Sequence, residues 1–344
     1  MNAYKRMLDF NERHKKHNVI ETYKRMQQKR IDLRQNKNLP NQVFFPTIEI
    51  TGISDFLLLK AMQGELQQSV RFIELDSKQL EIYEFLFGAH LFGSWRNTLG
   101  VYCIDKEIFD DVINSPIPDD TPTDIFLRLP EWSIYIEFPK QVLFDDRHLA
   151  NGFWATYDYM EQNNKWCIAL NIVFNFESSD SIGYNHFYPI TLFLNEGISI
   201  LDTFKSIFSN SNPIELGVMV TTDYKMLAKV LSCLLLLCVE KPDISKITGE
   251  PISKSELSSP KYQVNKKTGS FIVPNKPFIY QLGARLGGEI REKEESINIF
   301  NSDKSRTVRP HIRRGHWHGY WKGTGQNKHF DVRWQPAIFV GFNG

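Results

Sequence analysis

The chain has 344 residues, of which 42% are hydrophobic and 13% aromatic. This composition excludes a disordered protein and supplies enough apolar side chain for a large core, in one large domain or in two. The 41 Lys and Arg residues nearly balance the 40 Asp and Glu residues, so the net charge of +1 indicates no particular partner.

The cysteines and the apolar runs indicate in which cellular compartment the protein is located. The four cysteines are scattered without a CxxC pair, which is typical of a reducing environment rather than of a disulfide framework. The longest apolar run, residues 230–239, is far shorter than the ~20 residues of a membrane helix. The N-terminus shows no apolar signal segment. We therefore expect a cytoplasmic protein without a membrane span.

Basic residues concentrate at the two ends of the chain. Residues 1–40 and residues 304–334 each carry a net charge of +7, which leaves the remainder at −13. Solubility alone does not require such an asymmetry. We predict a basic N-terminal helix and linker (1–40), a mixed α+β body (41–300) and a basic aromatic C-terminal hairpin module packed on the body (301–344).

The first predicted element is a helix over residues 3–35, which contain neither Gly nor Pro. Two apolar patches at helical spacing favour weak docking on the body or on a partner. The alternative is an ordinary helix with a solvated face. Further helices are predicted after Asp76 or Ser77, over residues 105–113, and over 199–208 and 223–239.

Strand patterns occupy the middle of the chain. Residues 132–138 alternate apolar and polar, which predicts a strand with one buried face. Residues 152–159, 166–176 and 187–194 follow at short intervals and favour an antiparallel meander. Residues 241–276, rich in Pro, Ser, Lys and Gly, are predicted to be irregular, residues 277–290 are ambiguous, and residues 293–309 are predicted to form a polar connector. Residues 311–334 form two strand patterns around a glycine-containing turn. The predicted fold class is α+β: an antiparallel β-sheet meander packed with helices, an N-terminal helical region and a C-terminal β-hairpin.

The C-terminal module combines arginines with tryptophans. Guanidinium groups bind phosphates through a planar fork of donors, and aromatic rings stack on unpaired bases at about 1–3 kcal/mol each. Alternatively, the tryptophans are core residues and the arginines a solvated edge. The residues predicted to contact RNA or the ribosome are Arg309, Arg313, Arg314, His316, Trp317, His318, Trp321 and Arg333.

His316 and His318 share one face of their strand and have three interpretations. They could bind a metal with His311 or His329, but no Cys or carboxylate cluster supports this. They could be the acid and base of a metal-independent ribonuclease, with Arg313 or Arg314 stabilising the phosphate. They could also be structural or contact RNA. The last interpretation is favoured, so we expect no metal and no cofactor, and nothing requires an enzyme.

The same stretch resembles a known family. RPHIRRGHWHGYW at 309–321 and RWQP at 333–336 are similar to the C-terminal signature of a family of type V-A anti-CRISPR proteins. The agreement continues in chain order through WRNTLG (95–100), DDTPT (119–123), LPEW (129–132), GFW (152–154), NKKTG (265–269), PFIY (277–280) and LGG (286–288). Residues 168–216 and the extreme N-terminus resemble the family least.

The resemblance implies a distinctive activity in a bacterial host cell. Such a protein blocks production of a type V-A CRISPR effector nuclease by recognising its nascent N-terminal peptide and causing loss of its mRNA. This implies an adaptor whose partners are that peptide and the translating ribosome or mRNA. The alternatives are an RNA-cleaving enzyme and a conventional inhibitor of the finished nuclease.

A nascent peptide is extended, so it could lie along a sheet edge or in an aromatic cleft. For most of the aromatic candidates, a place in the core is the competing interpretation. The residues predicted to line such a cleft are Trp95, Arg96, Trp132, Tyr135, Trp154 and Tyr157.

Overall fold

The computed structural model describes residues 2–36, 38–55, 77–143, 149–162, 164–177, 189–203, 205, 220–267, 271–300 and 311–340. The helices are α1 (Ala3–Arg13), α2 (Val19–Asn36), α3 (Ile50–Ile53), α4 (Ser77–Trp95), α5 (Lys106–Asn114), α6 (Val220–Cys238), α7 (Lys254–Leu257) and α8 (Ala284–Phe300). None of the helices in these ranges has the length and apolar composition of a membrane span.

The strands are β1 (Gly100–Ile104), β2 (Ser133–Leu143), β3 (Leu149–Gln162), β4 (Lys165–Glu177), β5 (Ile190–Phe193), β6 (Ile244–Lys246), β7 (Gln263–Val264), β8 (Phe271–Ile272), β9 (Phe278–Leu282), β10 (His311–Arg313), β11 (His316–Lys322), β12 (His329–Gln335) and β13 (Ile338–Val340). Most of them belong to one mixed sheet with the order β5-β4-β3-β2-β1-β9-β6. Strands β2 to β5 form the predicted antiparallel meander, which confirms the α+β class. Strand β1 pairs in parallel with β2 and β9, an arrangement that the sequence did not indicate.

Both faces of strand β2 are buried, so the prediction of one buried face was wrong. Phe138 packs on Phe109 of α5, with ring centroids 5.3 Å apart. The opposite face presents Tyr135 toward α4, where its ring lies 6.4 Å from that of Trp95. Helix α5 joins the parallel strands β1 and β2 and covers one face, whereas α4 covers the other.

The N-terminal helix is broken rather than continuous. Asn18 adopts a left-handed conformation with φ of 52° between α1 and α2, which its short amide side chain tolerates. Phe10 of α1 lies 5.2 Å from Phe92 of α4 between ring centroids. It fits against Gly88, where a Cβ would come within 2.2 Å of the Phe10 ring. The N-terminal helices therefore pack closely on the body.

The second half of the chain contains more regular structure than its composition indicated. Residues 241–276, predicted to be irregular, include β6, α7, β7 and β8, and the ambiguous residues 277–290 form β9 and the start of α8. Helix α8 continues to Phe300 through part of the predicted polar connector. Of the helix predicted over 199–208, residues 200–203 and 205 are helical, whereas residues 204 and 206–208 lie outside the described residues.

The C-terminal hairpin of β11 and β12 docks on α5 and α6 through Trp317. The Trp317 indole N–H donates to Ser232 Oγ at 2.7 Å, and Ser232 in turn donates to the Val112 carbonyl on α5. The Trp317 backbone N–H donates to Ser115 Oγ at 3.2 Å. Arg128 adds a bond to the Phe330 carbonyl at 2.9 Å. These contacts fix which face of the hairpin is turned outward.

Replacing Trp317 with Ala should destabilise the protein strongly, because it leaves a cavity and removes the donor to Ser232. We expect a loss of about 3–5 kcal/mol in the free energy of unfolding, measured by denaturant titration. Trp321→Ala is the matched control, since Trp321 is 52% exposed, and should cost about 1 kcal/mol. Equal losses would contradict the docking role of Trp317.

Candidate functional site

Three of the predicted cleft residues lie in the core. Trp95, Tyr135 and Trp154 are each at most 1% exposed, and the rings of Tyr135 and Trp154 lie 4.7 Å apart between α4 and the sheet. They fill the interior of this layer and line no surface cleft, so this part of the prediction is corrected. Tyr157 is also buried, although it reaches the wall of the cavity described below.

Arg96 is half-buried and serves the N-terminal layer. Its guanidinium lies 4.9 Å from the centroid of the Tyr23 ring. Burial lowers the pKa of Arg96, and Tyr23 opposes that effect. This contact joins the end of α4 to α2, so the described geometry of Arg96 is that of a packing residue.

Trp132 differs from the other candidates because it is half-exposed and stacked on neighbours far away in the chain. Its ring is nearly parallel to those of Tyr262 and Phe271, at centroid distances of 5.3 Å and 6.4 Å. Tyr262 and Phe271 stack on each other at 4.2 Å. We call these three residues the aromatic platform.

Two contacts hold the platform in place from the protein side. The Trp132 indole N–H donates to the Asn41 carbonyl at 2.8 Å. The Arg30 guanidinium of α2 lies 4.7 Å from the centroid of the Trp132 ring. Burial lowers the pKa of Arg30 to about 10, so it remains a cation at neutral pH and makes a cation–π contact. The ring of Trp132 is thereby oriented before any ligand arrives.

A cavity of about 290 Å³ opens beside the platform. Its wall combines aromatic side chains with small polar residues and two prolines. Such a mixture suits a side chain or a short extended segment, because apolar walls supply binding energy and polar groups set orientation. The lining residues are Asn41, Gln42, Thr98, Leu129, Pro130, Glu131, Trp132, Tyr157, Ser258, Ser259, Pro260 and Tyr262.

Glu131 is a buried acid at the wall of this cavity. Its carboxylate lies beside the hydroxyl groups of Thr98 and Tyr102, which oppose the rise in its pKa, although neither oxygen accepts a hydrogen bond of full geometry among the described residues. The carboxylate presses on Gly100 of β1, where a Cβ would lie 2.2 Å from Oε2. Burial raises the pKa of Glu131 to about 7, although Lys261 opposes the shift. The side chain therefore titrates near neutral pH.

The outer face of the C-terminal hairpin is basic. His318 pairs with Arg333 across the two strands, and His316 pairs with Gln335; directly paired residues share one face. His316, His318 and Arg333 are exposed, whereas Gln335 is half-buried. Trp317 lies on the opposite, buried face, so it cannot stack on a base, which corrects that part of the prediction.

The remaining residues of the predicted RNA surface have mixed positions. Arg313 and Arg314 are exposed. Trp321 is half-exposed, but its indole N–H donates to Asp120 at 2.8 Å, so its ring is held at the edge of the hairpin. Arg309 lies outside the described residues. Arg313 and Arg314 leave two guanidinium groups open to an anionic partner, whereas the exposed Arg333 guanidinium is already paired with Asp331.

The two histidines lack an orienting carboxylate in the described part of the chain. His318 Nδ1 contacts the Gly319 carbonyl at 3.0 Å, and its ring stacks on Tyr320 at 4.3 Å. Asp331 shares this face, but Lys322 binds its carboxylate at 2.6 Å and Arg333 binds it at 2.9 Å. Burial disfavours ionisation of Asp331, and these two cations outweigh it and lower the pKa. The arrangement suits anion binding better than acid–base catalysis.

Sequence reasoning missed Tyr262, Phe271 and Glu131 as site residues. Tyr262 and Phe271 lie in a stretch that composition marks as irregular, and only tertiary structure brings them to Trp132. Glu131 carried a usable signal, since an acidic residue between Pro130 and Trp132 is an unusual neighbour for a buried strand. Its burial beside the cavity depends on Gly100, which the sequence could not place.

Comparisons with known proteins agree with this architecture. The model of the family described as AcrVA2-like, the anti-CRISPR type V subtype A2 family, matches residues 102–342. The crystal structure of AcrVA2 is similar to the chain at 36% sequence identity, covers 98% of both chains and superposes with a TM-score of 0.74. Among curated proteins, none matches the chain significantly.

Glu131 should make the stability of the fold depend on pH. Its pKa of about 7 in the folded state exceeds the ordinary 4.5, so the folded state retains a proton that the unfolded chain releases. The free energy of unfolding should therefore fall as pH rises from about 4.5 to 7. The free energy of unfolding of Glu131→Gln, relative to that of wild type, should therefore increase by up to about 3 kcal/mol between pH 4 and pH 8.

The measurement is urea unfolding of both proteins across this pH range. Glu12→Gln is the matched control, because Glu12 has a 76% exposed side chain on α1, and it should follow the wild-type profile. A difference between wild type and Glu131→Gln that does not change with pH would show that the carboxylate is not perturbed.

Proposed function

Because the chain belongs to the anti-CRISPR type V subtype A2 family, we propose that it lowers production of a type V-A CRISPR effector nuclease. In this proposal it binds the nascent N-terminal peptide of the nuclease during translation and triggers loss of the mRNA. It acts as an adaptor in the bacterial cytoplasm, where one surface receives the peptide and another contacts the translating ribosome or mRNA.

The aromatic platform beside the cavity is the observation that carries the proposal. Trp132 is fixed by Asn41 and Arg30, so binding costs little side-chain entropy at this residue. An extended peptide could place one side chain in the cavity and lay the next against the platform. Such a site recognises side-chain order in a flexible segment, which a nascent chain offers before the nuclease folds.

The outer face of the hairpin supports the second contact. Arg313 and Arg314 are exposed directly before the hairpin, and Arg333 is exposed on its outer face, where it also pairs with Asp331. The hairpin is docked by Trp317 on the opposite face. Guanidinium groups bind phosphates without reading sequence. This surface could hold ribosomal RNA or mRNA while the platform supplies the specificity for the target peptide.

Trp132→Ala should weaken peptide binding, because it removes one ring of the platform together with part of the cavity wall. Loss of a buried aromatic anchor costs about 2 kcal/mol or more, which raises the Kd roughly 30-fold. The probe is a fluorescein-labelled synthetic peptide carrying the first residues of the effector nuclease, measured by anisotropy. Trp166→Ala is the matched control, since Trp166 on β4 is 48% exposed and contacts Tyr159 instead.

If circular dichroism shows that Trp132→Ala is folded and its affinity for the peptide is unchanged, the aromatic platform does not bind the peptide. Equal weakening in Trp132→Ala and Trp166→Ala would point to a general loss of structure. Binding of the finished nuclease instead of the peptide, with stoichiometric inhibition of DNA cleavage, would favour a conventional inhibitor.

Replacing Arg313 and Arg314 together with Ala should reduce RNA binding through lost phosphate contacts. The slope of log K against log salt should become shallower by about 1.4 for single-stranded RNA if both groups bind phosphate. Lys24→Ala with Lys165→Ala removes the same charge from exposed positions on α2 and β4 and should leave the slope unchanged. A slope that drops equally in both variants would indicate a net-charge effect alone.

The second candidate function, a metal-independent ribonuclease, rests on the exposure of His316 and His318 on one strand face. Purified protein would then cleave purified RNA, and His316→Ala with His318→Ala would abolish cleavage. The adaptor predicts that purified RNA stays intact with wild type and with this variant. Cleavage of purified RNA by wild type but not by the histidine variant would show that the protein is a ribonuclease rather than an adaptor.

A further inference from the structure

Two histidines and a glutamate meet where the end of α1 crosses α4. His14 follows α1 directly, His17 lies in the short 3-10 turn before α2, and Glu81 belongs to α4. One potential ligand atom from each residue lies within 4.8 Å of the other two. These residues belong neither to the aromatic platform nor to the C-terminal hairpin.

His14 has an unusual environment. It is 3% exposed, and neither Nδ1 nor Nε2 has a hydrogen-bond partner in the described structure. Phe10 and Phe85 surround the ring, at centroid distances of 4.6 Å and 5.5 Å. A buried imidazole that has lost water on both nitrogens is costly. A metal ion would use one of these nitrogens as a ligand and offset that cost.

The neighbouring groups supply the rest of a coordination set. His17 Nε2 lies 3.1 Å from Glu81 Oε1. Glu84, one turn further along α4, places Oε1 at 3.7 Å from His14 Nε2. A His-x-x-His pair thus faces a Glu-x-x-Glu pair, and each pair projects from one side of its own element. Imidazole nitrogens with carboxylate oxygens favour Zn²⁺ and similar ions over Ca²⁺ or Mg²⁺, which prefer oxygen ligands alone.

We propose that His14, His17 and Glu81 bind a divalent transition-metal ion, with Zn²⁺ as the best match and Glu84 as the fourth ligand. The ion takes a structural position, because its ligands come from the turn after α1 and from α4. It ties the N-terminal helices to the body at the break between α1 and α2.

Two basic side chains must move away from the glutamates before the metal ion can bind. Lys16 Nζ lies 2.8 Å from Glu81 Oε1, and Arg13 lies 2.6 Å from Glu84 Oε1. The Lys16 side chain is 65% exposed, so its ammonium can move into water. Arg13 is 38% exposed and can keep one carboxylate oxygen of Glu84 while the ion takes the other. The ion replaces a solvent-exposed ion pair that contributes little to stability.

The test uses the full chain, treated with a chelator and then titrated with Zn²⁺ by calorimetry slightly above neutral pH. We expect one ion per chain, a rise in Tm, and a tetrahedral Co²⁺ absorption spectrum when Co²⁺ replaces Zn²⁺. Glu81→Gln and His17→Gln should each lower Zn²⁺ affinity by more than about tenfold. Both positions are half-buried, so both variants should fold, as circular dichroism can verify.

The matched controls are Glu161→Gln and His329→Gln, which remove an exposed Glu and an exposed His elsewhere and should bind Zn²⁺ like wild type. No binding to folded wild type at micromolar Zn²⁺ would overturn the proposal. Equal affinity in wild type, Glu81→Gln and His17→Gln would overturn it as well, because binding would then occur at other residues.

Discussion

The structure depends on the burial of both faces of its central sheet. Tyr135 and Trp154 fill the space under α4, and Phe138 packs on α5 from the other side. Polar groups on the same strands are paired within the layer, as Ser133 and Thr156 are at 2.6 Å. A sheet covered on both faces cannot offer its broad surface to a partner, so binding must take place at strand ends, edges and attached elements.

The two candidate surfaces follow from this constraint. Trp132 lies just before β2, where the covering layers end, and Arg30 and Asn41 hold its ring beside a cavity. The hairpin sits on the outside of the helical layer, and Trp317 faces Ser232 of α6. Because residues alternate along a strand, burying Trp317 turns His316 and His318 outward with Arg333.

The sequence predicted those elements whose periodicity reflects local structure. The meander, α4, α5 and the C-terminal hairpin came from alternation and helical spacing. Strands β1 and β9 were missed because their parallel pairing joins segments distant in the chain. Strand β2 has two buried faces, since its tyrosine and serine pack inside despite their polarity. Only one residue of the aromatic platform was predicted. Trp132 was named as a site residue, but its partners Tyr262 and Phe271 belong to a segment without hydrophobic periodicity.

In the proposed function, the nascent peptide rather than the message itself selects the target. The most direct test is a translating bacterial cell extract, which retains the host nucleases, programmed with two recoded messages for the effector nuclease. One carries synonymous first codons, which keep the peptide and change the RNA; the other shifts the reading frame over the same codons and then restores it. Selection by the nascent peptide predicts loss of the synonymous message and survival of the frame-shifted one. Survival of the synonymous message with loss of the frame-shifted one would contradict it.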